Sequence, residues 1–442
     1  MRTRTTARGI AVLGAALLAV TACGGGSDDE GGSSGSDSAE KQINIYGTDG
    51  NMGNALGEDF TEDGELAGMK GTTPLTELGS DFTDRLLEID PKLQDYNYAG
   101  ETYDAVVITA LAAQMAGTND ANVFKTYVNG VTFGGDKCED FASCSEIIAG
   151  GGNPDYDGIS GPLAFADAGE PAVASFGILQ FADDNTIHAE DNEYVFAGDE
   201  ANAASDEGPA PATAVSAAGP LTIGYLLPET GNLAFLGPPE VAGFALAIKD
   251  INDAGGVFGQ PVAQQGGDSG DTSTDTATQT VDRLLQAGVN AIVGAASSGV
   301  SQTVIDTITG AGVMQISPAN TSDIFTTYND NGLYFRTAPP DVLQARALSD
   351  LILEDGNNTV GILALNDPYG TGLAENTLNN LVEGGLSEDD IKSIIYDPQA
   401  ANFDSEVQQM VELNPDAIVV IGFEESSKII QGLNAQGIGP QR

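Results

Sequence analysis

At 442 residues the chain is long enough for two or three domains with real cores, and a hydrophobic share of 41% marks most of it as globular. Only 16 Lys and Arg stand against 65 Asp and Glu, a formal charge of −49, which excludes nucleic-acid binding because that needs a basic face. An anionic surface this dense suits a solvated exterior in a salty medium or on a cell envelope and says little about fold.

Arg2, Arg4 and Arg8 precede an apolar run at residues 10–20, too short to span a bilayer as a mature helix. That pattern, residues 1–22, is a secretory signal. It ends in Val20-Thr21-Ala22-Cys23, which resembles a bacterial lipobox, so Cys23 is expected to be acylated and to become the mature N-terminus. Residues 23–41, rich in Gly, Ser and Asp, then form a flexible tether. Residues 43–46 read as a short strand running into the turn Gly47-Thr48-Asp49-Gly50, with Asp49 at the strand's end. A helix-rich region follows from Phe82, in which Tyr103, Val106, Val107, Ala110, Leu111 and Gln114 recur at helical spacing. Cys138 and Cys144 share one loop, and in an exported protein a local disulfide is the default. A metal site there would need more ligands, and the chain's 1 histidine is His188. Asn153-Pro154-Asp155-Tyr156-Asp157-Gly158 imitates the start of an EF-hand loop, but Ala164 stands where a bidentate Glu is required, so calcium is rejected. Residues 176–181 and 193–196 alternate like edge strands or a hairpin.

Residues 202–218 are Ala, Pro, Ser and Gly without periodicity, a linker, and after it strand and helix alternate regularly. Strands are expected at 221–227, 257–262, 291–294, 313–316, 359–363, 391–395 and 418–421, with helices between them such as 406–413 and 426–434. That alternation is α/β with parallel sheets. Gly267-Asp268-Ser269-Gly270 matches the nucleophile signature of chymotrypsin-like proteases, but those are all-β barrels and this segment joins a strand to a helix.

Residues 291–323 organise the rest. A strand, a polar turn, a helix at 300–309 with Val300, Val304, Ile305 and Ile308 on one face, and a second strand make a parallel βαβ unit. Ser297 and Ser298 sit where an N-cap belongs, and Gly310 and Gly312 end the helix. The polar loops 297–299 and 320–322 both follow strands and so share one rim, where hydroxyls and free N–H groups suit an anion, best a carboxylate.

Three runs carry a family likeness: Leu227-Pro228-Glu229-Thr230-Gly231, then the stretch from Ile251-Asn252-Asp253-Ala254-Gly255-Gly256 to Gly259, then Ser317-Pro318-Ala319-Asn320-Thr321. Asn366-Asp367-Pro368-Tyr369-Gly370, Gly47-Thr48-Asp49-Gly50 and Asp155-Tyr156-Asp157-Gly158 fit as well. The sequence resembles the extracytoplasmic substrate-binding proteins of branched-chain amino-acid ABC transporters. That likeness implies the type I periplasmic-binding-protein fold, two α/β lobes closing on a ligand. The order differs from the family's: residues 42–196 resemble the family's end and residues 219–442 its beginning, joined by a linker at 197–218, as in a circular permutation. Lobe one is expected in 219–338 plus about 74–150, lobe two in 339–442, 42–73 and 151–196, with crossings near 338–341, 72–75 and 150–156.

By the same likeness Ser298 and Thr321, with backbone at Ala296 and Asn320, hold an α-carboxylate, Asp49 takes the α-ammonium and Tyr369 closes over the ligand. Phe423 and Leu236 replace tyrosines at the side-chain end, which leaves the side-chain preference open. The implied protein is a monomeric solute receptor, lipid-anchored on the outer face of the cell membrane, that delivers an aliphatic amino acid to an ABC permease. It needs no cofactor and does no covalent chemistry. Its rivals are the same fold binding a short amide, urea or small carboxylate, and a ligand-sensing module that regulates a partner.

Overall fold

The computed structural model describes residues 42–440; the leader, Cys23 and the tether lie outside them. Among the described residues no helix is long and apolar enough to cross a membrane.

The strands in chain order are β1 (Asn44–Thr48), β2 (Lys70–Pro74), β3 (Asp136–Cys138), β4 (Pro154–Tyr156), β5 (Val173–Gln180), β6 (Glu193–Gly198) and β7 (Thr222–Leu227). They continue as β8 (Ala263–Asp268), β9 (Ala291–Gly294), β10 (Met314–Ser317), β11 (Tyr334–Arg336), β12 (Val360–Leu365), β13 (Ile391–Tyr396) and β14 (Ala417–Ile421). Lobe one holds a sheet ordered β11-β10-β9-β7-β8, parallel throughout. Lobe two holds β13-β12-β14-β1-β2-β5-β6, parallel from β13 to β2 and antiparallel in the last two pairs. β9, β10, β12 and β14 are buried end to end, as strands covered by helices on both faces must be. The hairpin expected at 176–181 and 193–196 is the antiparallel β5–β6 pair, with the more exposed β6 at the edge of the sheet.

Lobe one is built around the helix Ala99–Ala116, buried on nearly every side, whereas its sequence spacing suggested one apolar face. It crosses the helix Gly237–Asp253 so closely that a Cβ at Gly243 would strike the carbonyl of Ala99. Cys138 and Cys144 are joined by a disulfide with Cα atoms 5.3 Å apart, beside the small parallel pair β3–β4.

Three expectations need correction. Residues 257–262 are a turn, not a strand: Gly256, Phe258 and Gly259 have positive φ, Val257 bridges back to Gln260, and β8 starts only at Ala263. The third passage between lobes comes later than 150–156, because Tyr156, Leu163 and Phe165 still pack into the lobe-one core and the chain enters lobe two with β5. The linker 202–218 has no regular structure past Asn202 but is not free: Ala204 N–H bonds Phe165 O, Ala212 N–H bonds Met115 O, and Ser216 N–H bonds Gly117 O.

In lobe two the last strand of the chain, β14, pairs in parallel with the first, β1. Pro440 and Gln42 line one surface cavity, so the two ends of the described chain are neighbours.

Candidate functional site

The carboxyl ends of β9 and β10 bring the two polar loops together on lobe one. Ser297 caps the helix Ser298–Gly310 by accepting from Val300 N–H at 3.3 Å, so this serine is occupied locally. Ser298 is different: its Oγ accepts the N–H of Ser322 at 3.4 Å, which leaves its own proton free to donate. The Asn320 amide donates to the Ala296 carbonyl at 2.7 Å and fastens one loop to the other. Beneath them Arg336, 1% exposed, donates to the carbonyls of Asn320 at 3.1 Å and Ser322 at 2.8 Å while its Nε pairs with Glu170 at 2.9 Å. The guanidinium thus fixes the loop's backbone, with its charge countered inside the lobe.

Asp49, at the carboxyl end of β1, supplies the opposite charge from lobe two. Its Oδ1 accepts from the Tyr369 hydroxyl at 2.7 Å and the Gln344 amide at 2.8 Å, and its Oδ2 from the Tyr98 hydroxyl at 2.7 Å. Thr48 Oγ1 lies 2.6 Å from the Tyr369 oxygen, and because the Tyr369 proton goes to Asp49, Thr48 is the donor there. Burial holds the Asp49 pKa above the usual carboxylate value, and the three donors offset only part of that rise. A carboxylate has about four acceptor positions, so roughly one remains for a ligand.

Asp49, Leu236, Ala296, Ser298, Thr321, Tyr369 and Phe423 border one cavity between the lobes, with Tyr98. Asn320 stands behind it as the strut. Tyr369 and Phe423 stack with ring centroids 5.6 Å apart and planes 6° from parallel. The void is about 10 Å³, room for about one water molecule. A larger chamber of about 260 Å³, bordered by Leu56, Asn232, Phe235 and Glu424, adjoins it at Gly50 and Phe423. The lobes are closed over it: Glu424 N–H reaches Asn232 O at 3.3 Å, and the Ser322 hydroxyl reaches Pro368 O at 2.8 Å. A ligand larger than water fits the inner void only when they part.

Sequence reasoning missed Tyr98 and Gln344. Tyr98 immediately precedes the helix Ala99–Ala116, and its φ of 60° is one that a bulky residue rarely adopts. That conformation turns its ring out of the helix Ala99–Ala116 toward Asp49, a strained backbone at a ligand site. Gln344 lies on the helix Asp341–Glu354, 295 residues from the Asp49 it holds.

The sequence profile of the periplasmic binding protein family matches residues 220–442. The chain belongs to that family. It is 25% identical over 211 residues to Leu/Ile/Val-binding protein homolog 3 of Brucella melitensis, covering 48% of this chain and 56% of that protein. It is 30% identical over 169 residues to Leu/Ile/Val-binding protein homolog 1 of Brucella abortus, covering 38% of this chain and 44% of that one. Among solved structures, the branched-chain amino acid transporter substrate binding protein LivJ of Streptococcus pneumoniae, in complex with isoleucine, is 26% identical. That alignment covers 50% of this chain and 62% of LivJ, with a TM-score of 0.43. The chain spans about half the length of the curated relatives it matches.

Proposed function

We propose that this periplasmic binding protein is a receptor for an amino acid, aliphatic in side chain, which it carries outside the cytoplasm to an ABC permease. One observation carries the reading: in a single cavity between two lobes, the Asp49 carboxylate faces hydroxyls with Ser298's proton free to donate. A zwitterion answers both ends, its ammonium taking the open position on Asp49 and its carboxylate the hydroxyl rim. The names of the Brucella relatives support the same ligand class. Phe423, Leu236 and the adjoining chamber would receive the side chain. Anchoring through an acylated Cys23 completes the reading and keeps the receptor beside its permease.

The smallness of the inner void favours a second candidate, a short amide, urea or small carboxylate. Calorimetry with leucine, isoleucine and valine against acetamide, urea and acetate separates the two. Leucine should bind, and Asp49→Ala should weaken it by ~2–5 kcal/mol, the usual result of unpairing a desolvated charge. Binding of the amides alone, or leucine binding untouched by the substitution, would defeat the amino-acid reading.

The segment order is, on this view, a circular rearrangement of the family's. The family match at 220–442, the β14–β1 pairing and the closeness of Pro440 to Gln42 support it. A gene that joins residue 440 to residue 42 and opens within 202–218 should give a protein with the parent's melting temperature and ligand. A reordered chain that fails to fold would count against it.

A further inference from the structure

The Asp341 carboxylate, in the first turn of the helix Asp341–Glu354, has no exposed surface, and no hydrogen bond of good geometry reaches either oxygen, the Thr321 hydroxyl being the side-chain group that approaches them. It sits where the chain passes from lobe one to lobe two. Its N–H donates to the carbonyl of Thr321 at 2.6 Å, and the Thr321 hydroxyl is the polar side chain that faces the carboxylate. Thr321 in turn borders the ligand cavity.

The charged and titratable neighbours are mostly of the wrong sign for an ionised Asp341. Asp323 approaches from the preceding loop, where it caps the same helix by accepting from Val342 N–H at 3.3 Å. Asp49 and Tyr369 approach from lobe two. Gln344, one turn along the helix, spends its amide on Asp49 and Thr72. Among the described residues Arg336 is the cation that bears on it, and its donors are committed to Glu170, Asn320, Ser322 and Thr326. On the far side a Cβ at Gly372 would meet Asp341 Oδ2 at 3.5 Å, so protein fills that approach. An ionised carboxylate in this place would be an uncompensated buried charge, which proteins avoid by neutralising the group. Burial, then the charges of Asp323 and Asp49, hold its pKa well above the usual carboxylate range.

A hydroxyl has one proton, so its neighbour decides which way it points. Against an ionised Asp341, Thr321 would spend its proton on the carboxylate and turn lone pairs to the cavity, which repels a ligand carboxylate. Against a carboxylic acid, Thr321 accepts, and its own proton is free to donate into the cavity alongside that of Ser298. We propose that Asp341 is a positioning residue that stays protonated in the closed protein and, by donating to Thr321, makes that hydroxyl a donor to the ligand's carboxylate. The inference rests on the amino-acid reading above for the ligand, but its first half, the held proton, does not.

The experiment has two arms on the full chain. In the first, thermal unfolding of the ligand-free parent and Asp341→Asn is followed from pH 5 to 8.5. A folded state that keeps a proton the unfolded chain gives up loses stability as pH rises, so the variant's melting temperature should overtake the parent's by an increasing margin across that range. A margin independent of pH would mean the group is ionised when folded, and would overturn the proposal whatever the ligand. In the second arm, leucine is titrated calorimetrically at pH 7 into the parent, Asp341→Asn and Asp341→Val. The amide keeps a donor for Thr321, so Asp341→Asn should bind within about threefold of the parent, while Asp341→Val should bind at least tenfold more weakly. If Asp341→Asn falls as far as Asp341→Val, the carboxylate acts through its charge, and the proposal fails. Should Asp341→Val not fold, the parent and Asp341→Asn decide alone. A parent that binds no leucine would refute the amino-acid reading and leave the first arm to judge the proton.

Discussion

Removing Arg336 would test whether the rim of the site is held from inside lobe one. In Arg336→Met the Glu170 carboxylate, 7% exposed, keeps only the Thr326 hydroxyl, and the Asn320 and Ser322 carbonyls lose their guanidinium donor. Breaking a buried ion pair from one side costs about 3–5 kcal/mol. Two buried carbonyls stripped of a donor add about 1–3 kcal/mol each, though such losses in one network do not sum. A total of about 4–7 kcal/mol is a large part of the ~5–15 kcal/mol that holds a typical domain together. Urea unfolding followed by circular dichroism should show a sharply lowered midpoint. Arg336→Met combined with Glu170→Gln should recover part of the loss, because the orphaned charge is gone while the carbonyls remain unpaired. A single variant within about 1 kcal/mol of the parent would refute the reasoning, since the deepest ion pair in the lobe would then hold nothing. A double variant no better than the single would refute it as surely.

Two further outcomes follow from the same contacts. Tyr98→Phe removes one of three donors to Asp49, a bond to a charged group worth about 1.5–3 kcal/mol, and weakens a link between the helix Ala99–Ala116 and lobe two. Solution scattering should show a larger radius of gyration for the empty variant than for the empty parent, and equal radii would show that Tyr98 does not help to hold the lobes shut. Glu101 and Glu240 lie near where the helices Ala99–Ala116 and Gly237–Asp253 cross; burial pushes Glu101 up to about 8 and holds Glu240 well above the usual carboxylate range, with the Glu101 charge adding to it. Their folded forms hold protons that the unfolded chain releases above its ordinary carboxylate pKa, so stability falls as pH climbs from about 5 to 8. Glu240→Gln should flatten that fall and melt higher than the parent at pH 8; parallel curves would mean the pair is already ionised.

The lobes' βαβ texture was legible because buried parallel strands read as short apolar runs and their helices end at glycines. That Ser298, Thr321 and Asp49 come to one cavity was legible for a related reason: a parallel sheet delivers polar residues to one rim when they follow its strands. What the sequence could not yield came from elsewhere in the chain. Tyr98 reaches Asp49 from 49 residues away and Gln344 from 295, distances over which no periodicity survives. Residues 257–262 misled because Val257 and Val262 suggest a strand, while positive φ at Gly256, Phe258 and Gly259 folds the segment into a turn first. The linker's contacts were not legible either: small residues without periodicity name no partner, but each backbone N–H still seeks an acceptor, and lobe one offered several.

The distribution of donors and acceptors also says how binding and closure are coupled. In the closed protein Asp49 is screened by three neutral donors, and no cation among the described residues pairs with it. Closure without a ligand cation therefore buries the Asp49 charge, a cost that opening to water relieves. An ammonium group brought in by the ligand supplies the missing positive charge only when lobe two is over it, and a carboxylate at the Ser298 rim binds lobe one in either state. The first contact is thus the differential one. A ligand can shift the open–closed balance only by what it gains in one state over the other, so on this reading the ammonium drives closure, and the carboxylate determines where the ligand first docks.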